Sequence, residues 1–141
     1  MSNYIFTEHG SMWAAKALCG NYKPVDTVYL VCSSSGTPPS ISPNVTVSYF
    51  ENNLPSGYTC VKVDTGISSF IREGNPYQVV YTALVPPEDN ITGKKLVTAA
   101  LVSEGEILLV ADISSAITCI ANTNITINVP LAVPAHITME N

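Results

Sequence analysis

The chain has 141 residues and a formal net charge of −5, a length that fits one domain. Hydrophobic residues make up 46% and charged residues only 12%, against roughly 25% charged in an ordinary soluble domain, which excludes a disordered chain, a coiled coil and a collagen-like fibre. The acidic balance speaks against nucleic acid as a partner. No apolar run approaches the roughly 18 residues of a membrane-spanning helix, so no membrane partner is expected, and the opening Met1–Glu8 lacks the pattern of a secretory signal.

The polar share is mostly uncharged, with 14 Ser, 13 Thr and 11 Asn, and Val, Ile and Thr together number 40. That bias favours strands. The first element is nevertheless a helix, about 7–19: Thr7 suits the N-cap, Glu8 the positive end of the dipole, and Gly10, Trp13, Ala14, Ala17 and Leu18 share a face before Gly20 ends it. Thr27–Cys32 reads as a strand. The stretch 33–43, SSSGTPPSISP, breaks any regular element and reads as a surface loop.

From Asn44 to Val133 the pattern is β. Val45, Val47 and Tyr49 alternate with Thr46, Ser48 and Phe50, and Tyr58–Val63 alternates again. Gln78–Val85 is strand-like up to Pro86-Pro87. Leu96–Val102 and Ile107–Ile113 flank Ser103-Glu104-Gly105-Glu106 as a hairpin, and Asn124–Val129 and Leu131–Val133 close the run. The expected fold is one domain, mainly β: an antiparallel β-sandwich or curled sheet preceded by one N-terminal α-helix.

Both hairpin strands are apolar almost without a break, so both faces want cover. Helix 7–19 or a second sheet covers one face; another chain, or the same chain, covers the other. With the low charge this marks candidate interface residues: Trp13 and Leu18 on the helix, Leu108 and Val110 on the hairpin, and Leu131, Val133 and Ile137 near the end of the chain.

No catalytic constellation is legible, and no enzyme activity is expected. Cys19, Cys32, Cys60 and Cys119 lack C-x-x-C spacing and His9 and His136 lie at opposite ends, so neither a metal site nor any other cofactor is expected, and the thiols read as free core residues. A reactive Cys119 or Cys60 is the enzymatic alternative. Glu104 with Glu106, and Glu88 with Asp89, read as solvated loop carboxylates. The tyrosines and Trp13 could stack on sugars, but packing is the simpler role for aromatics inside strand patterns.

Three stretches, TEHGSMWAAKALCG (7–20), YQVVYTALVPPEDNITGKKLVTAALVSEGEILLVADI (77–113) and NITINVPLAV (124–133), resemble in this order the N-terminal baseplate-attachment, tail-collar-fibre type domain of bacteriophage tail fibre proteins. The correspondence is an opening Thr-x-x-Gly helix, a strand ending in a proline turn followed by a Gly-containing hairpin, and a closing strand. Thr92-Gly93-Lys94-Lys95-Leu96 departs from the family's Arg-Glu-x-Gly-Leu run. The resemblance implies a structural protein of the virion, made in the host cytoplasm. It would be an adaptor at the baseplate and tail-fibre junction, without a receptor-binding tip, assembling with copies of itself in a trimer or multiple of three. A capsid decoration protein and a glycan-binding β-sandwich are the alternatives.

Overall fold

A computed structural model describes residues 4–137. In chain order its elements are β1 (Tyr4–Phe6), α1 (Glu8–Leu18), β2 (Thr27–Ser33), α2 (Val47–Asn52), β3 (Tyr58–Val63), β4 (Ser68–Arg72), β5 (Gln78–Val85), β6 (Lys95–Ser103), β7 (Glu106–Thr118) and β8 (Ile125–Ala132). They form a five-stranded sheet, β1-β7-β6-β2-β3, and a three-stranded sheet, β4-β5-β8. Every pairing is antiparallel. The chain is therefore mainly β with one helix near its N-terminus, as the composition implies.

The β6–β7 hairpin organises the larger sheet. Its two turn residues, Glu104 and Gly105, both adopt left-handed backbone (φ 51° and 76°), the conformation that matches the twist of a two-residue hairpin. Glu104 is held there by its N–H, which donates to Asp26 Oδ2 at 3.1 Å. One hairpin face meets the smaller sheet. Leu96, Ala99, Leu101 and Leu109 pack with Leu30 and Cys32 of β2 against Ala83, Val85, Ile127 and Val129. The other face is covered by the segment between β2 and β3: Ile41, Val45, Val47, Tyr49, Phe50 and Leu54 close over Tyr29, Val31, Val97, Val102 and Val110. The same chain thus covers both hairpin faces, and loop 33–43 contributes Ile41 to that cover.

Three sequence expectations change. The alternation at 44–50 does not form a strand; α2 is there instead, because Val47, Phe50 and Leu54 also recur at helical spacing. That helix delivers Phe50 into the second core, stacked on Tyr29 with ring centroids 5.8 Å apart. The hairpin's second strand runs on to Thr118, past an irregularity in its pairing with β6 between Leu96 and Thr98. The two closing segments are one strand that passes through Pro130. Its register with β5 is unbroken, and Val133 N–H donates to Tyr77 O at 3.0 Å. In an antiparallel ladder every second residue bonds the same neighbour, so the odd residues face β5. Pro130 therefore turns its missing N–H to the open edge, where no ladder bond is lost. Two elements carried no readable signal: β1 has only three residues, and β4 is exposed throughout.

Candidate docking groove

Helix α1 is fixed to the larger sheet at its N-terminus. Leu101 pairs with Leu109 but Val102 pairs with Ile107, so Leu108 is the extra residue of a bulge. Its carbonyl accepts the Thr7 N–H at 3.1 Å. The buried Thr7 hydroxyl donates to the Ile107 carbonyl and accepts the Gly10 N–H at 2.9 Å, the N-cap expected from sequence. Gly10, the one buried residue of α1, sits directly on the strand; a Cβ there would overlap the Leu108 carbonyl oxygen and stand 2.7 Å from Phe6 Cδ1. At the other end Gly20 N–H bonds Ala17 O at 3.0 Å and Asn21 N–H bonds Lys16 O at 2.8 Å, a Schellman closure. The chain then brings Tyr22 edge-on to Trp13, centroids 5.8 Å apart, and the Lys23 carbonyl accepts the Trp13 indole N–H at 2.6 Å.

Held this way, α1 turns its apolar face across open space towards the smaller sheet. That sheet's inner face is buried at Ala83, Val85, Ile127 and Val129, but towards the other end of its strands Tyr81, Val79 and Leu131 are only half-buried. Between this overhang and α1 runs a groove of about 870 Å³. Trp13, Ala14, Ala17 and Leu18 form one wall, Val79, Tyr81 and Leu131–Pro134 the other, and none of the lining residues is charged. Burial and the neighbouring Tyr22 push the Tyr81 phenol upward, so it stays protonated and neutral. A smaller cleft of about 320 Å³ shares Trp13 and Tyr22 but is charged, with His9 Nε2 3.2 Å from Glu106 Oε2 on its margin.

The seven interface candidates divide. Trp13, Leu18, Leu131 and Val133 come together in the groove. Ile137, 82% exposed, lies beyond its rim, where Asn75 anchors the chain through His136: Nδ2 donates to the His136 carbonyl and Oδ1 accepts its N–H, each at 3.1 Å. Leu108 and Val110 are 4% and 3% exposed. The chain buries both itself, so they do not offer the open hairpin face that the sequence suggested. Phe6 and Val79 also line the groove without a site signal in the sequence, joined by Tyr22 and Tyr81, which the sequence offers only among the aromatics that could stack on sugars.

The cysteines are free; Cys32 and Cys119 are buried, Cys60 is half-buried, and Cys19, contrary to its expected core role, is exposed at the C-cap of α1. Burial pushes Cys32 and Cys60 up to about 12 and raises Cys119. The thiolate is the nucleophilic form, so at neutral pH these three carry almost none of it. Among the described residues no group of three or more His, Cys, Asp and Glu converges as a metal site would require. Among the described residues no helix is long and apolar enough to cross a membrane. No family model, curated protein or solved structure matches the chain.

Proposed function

We propose that this chain is a structural assembly protein of a phage tail, an adaptor at the baseplate and fibre junction that works through its groove. One observation carries the reading. The three stretches that resemble the attachment domain of tail fibres are far apart in sequence, yet each supplies part of the same uncharged groove: Trp13 and Leu18 from the first, Val79 and Tyr81 from the second, Leu131 and Val133 from the third. A groove of this kind binds by shape and by removing apolar surface from water, at about 2.5 kcal/mol per 100 Å² before the cost of association.

The adaptor assembles with copies of itself, in a trimer or multiple of three, and meets baseplate and fibre proteins. Burial pushes the thiols of both Cys60 and Cys119 upward, which weighs against the enzymatic alternative. Location in the particle is the decisive test. Antibodies raised against the purified chain and visualised with gold on intact virions of the source culture should mark the tail end. Label over the capsid shell would replace this reading with a decoration protein, and unlabelled particles would end it.

A further inference from the structure

We infer that Cys32 and Cys119 form a latent cross-link, an oxidation site that closes as a disulfide when the chain leaves reducing surroundings. Both side chains sit in the core between the two sheets, and the two thiols lie within hydrogen-bonding reach of each other. The backbone fixes that approach from both sides. Cys32, near the end of β2, stands opposite Thr59 of β3 and Leu96 of β6. Cys119, just past β7, donates its N–H to the Lys94 carbonyl and accepts the Gly93 N–H at its own carbonyl, each at 2.8 Å. The Lys94 amine in turn donates to Thr59 Oγ1 at 3.0 Å, so the segment that clamps Cys119 is tied to the residue opposite Cys32. The other two cysteines are placed elsewhere. Cys60 pairs in register with Val31 and packs with it into the second core, on the opposite face of the sheet, and Cys19 lies exposed at the C-cap of α1.

The step needs an oxidant, and a small disulfide such as oxidised glutathione suffices. Cys32 is 0% and Cys119 4% exposed, so the closed chain reacts only through brief local opening, which reaches Cys119, the less enclosed of the two, first. Its thiolate attacks the small disulfide, forming a mixed disulfide and releasing one small thiolate. Reclosing returns Cys32 to Cys119. The Cys32 thiol gives up its proton, its sulfur attacks the Cys119 sulfur, and the second small thiol leaves. Two protein S–H groups have then lost two protons and two electrons, and one small disulfide has become two small thiols. The product lies in the core, shielded from reductants, and closes the long loop 32–119, the kind of constraint that restricts an unfolded chain most. Virion surfaces are oxidising and the cytoplasm is not, so in the adaptor proposed above closure follows release of the particle; only this timing rests on that reading.

The test uses the full chain carrying Cys19→Ser, which removes the exposed thiol. It is reduced, unfolded in urea and refolded at mildly alkaline pH into a mixture of oxidised and reduced glutathione. Mass spectrometry should find the refolded chain lighter than the reduced one by two hydrogens, and its digest should hold one linked pair of peptides, carrying Cys32 and Cys119. The cross-linked form should melt about 10 °C above the reduced form. A second change, Cys60→Ala, should leave the two-hydrogen loss in place, and Cys119→Ala should abolish it; the peptide map decides the pairing even where a variant fails to fold. A chain that keeps both thiols, a persistent glutathione adduct, a link to Cys60, or a cross-linked form that melts no higher than the reduced one would each overturn the inference. None of these outcomes bears on where the chain sits in a particle, so the adaptor reading stands or falls separately, on the gold label.

Discussion

Replacing Gly10 by Ala tests whether the bulge at Leu108 positions α1. In an exposed helix the change stabilises by about 1 kcal/mol. Here the added Cβ would overlap the Leu108 carbonyl oxygen, lie 2.8 Å from its carbon and 2.7 Å from Phe6 Cδ1. The first obstacle is backbone, which no rotamer change relieves, so the helix must retreat. Retreat forfeits the two bonds from Thr7 to β7, about 1 kcal/mol each, and overpacking adds about 1–3 kcal/mol. After the helix-propensity gain the balance is about 2–4 kcal/mol destabilising, a fall in Tm of roughly 8–16 °C at about 4 °C per kcal/mol. If α1 docking is worth less than that, the helix detaches and the loss stops there. The chain's one tryptophan, Trp13, then separates the cases: its emission shifts towards the solvent value below the main melt if α1 detaches, and with the melt if it does not. A variant with unchanged or higher Tm and unchanged Trp13 emission would refute the reasoning.

Val110→Asp should prevent folding, because it puts an unpaired carboxylate at a position 3% exposed at a cost of about 3–5 kcal/mol; circular dichroism of the purified variant checks this, and a folded variant would reopen the hairpin face as an interface. A thiol reagent at neutral pH should label Cys19 rapidly and the other three cysteines only on unfolding, as mass spectrometry of partly labelled protein would show. Stability should fall as pH rises from 9 towards 12. Cys32 is raised from an ordinary 9.0 to about 12 in the folded chain, so between those values the unfolded chain loses its proton first; the contribution is intact below 9 and lost by 12, at most about 4 kcal/mol. Urea titrations across that range measure it, and Cys32→Ala should flatten the slope.

The sequence carried most of the strands because their signals were local. Tyr58–Val63 and Gln78–Val85 have the bounds that alternation and the following prolines set, and the Glu104-Gly105 turn declared the hairpin. The misses occurred where two periods fit the same residues or where a distant partner decided. Val45, Val47 and Tyr49 suit a strand as well as Val47, Phe50 and Leu54 suit a helix; the buried place over Tyr29 chose the helix. Likewise, apolar residues on both hairpin faces announce a need for cover without saying that the 41–54 segment meets it. Half of the groove was legible as apolar helix and chain-end residues. The β5 wall was not, since periodicity cannot reveal that one sheet overhangs another.

The groove also brings β1 and the segment after β8 together. Tyr4, in the first described strand, and Val133 and Pro134, just past the last, all line it, so these two segments lie within one groove's breadth of each other. A short linker joining them, with new termini cut at the exposed 104–106 turn, would give a circular permutant that keeps every strand pairing.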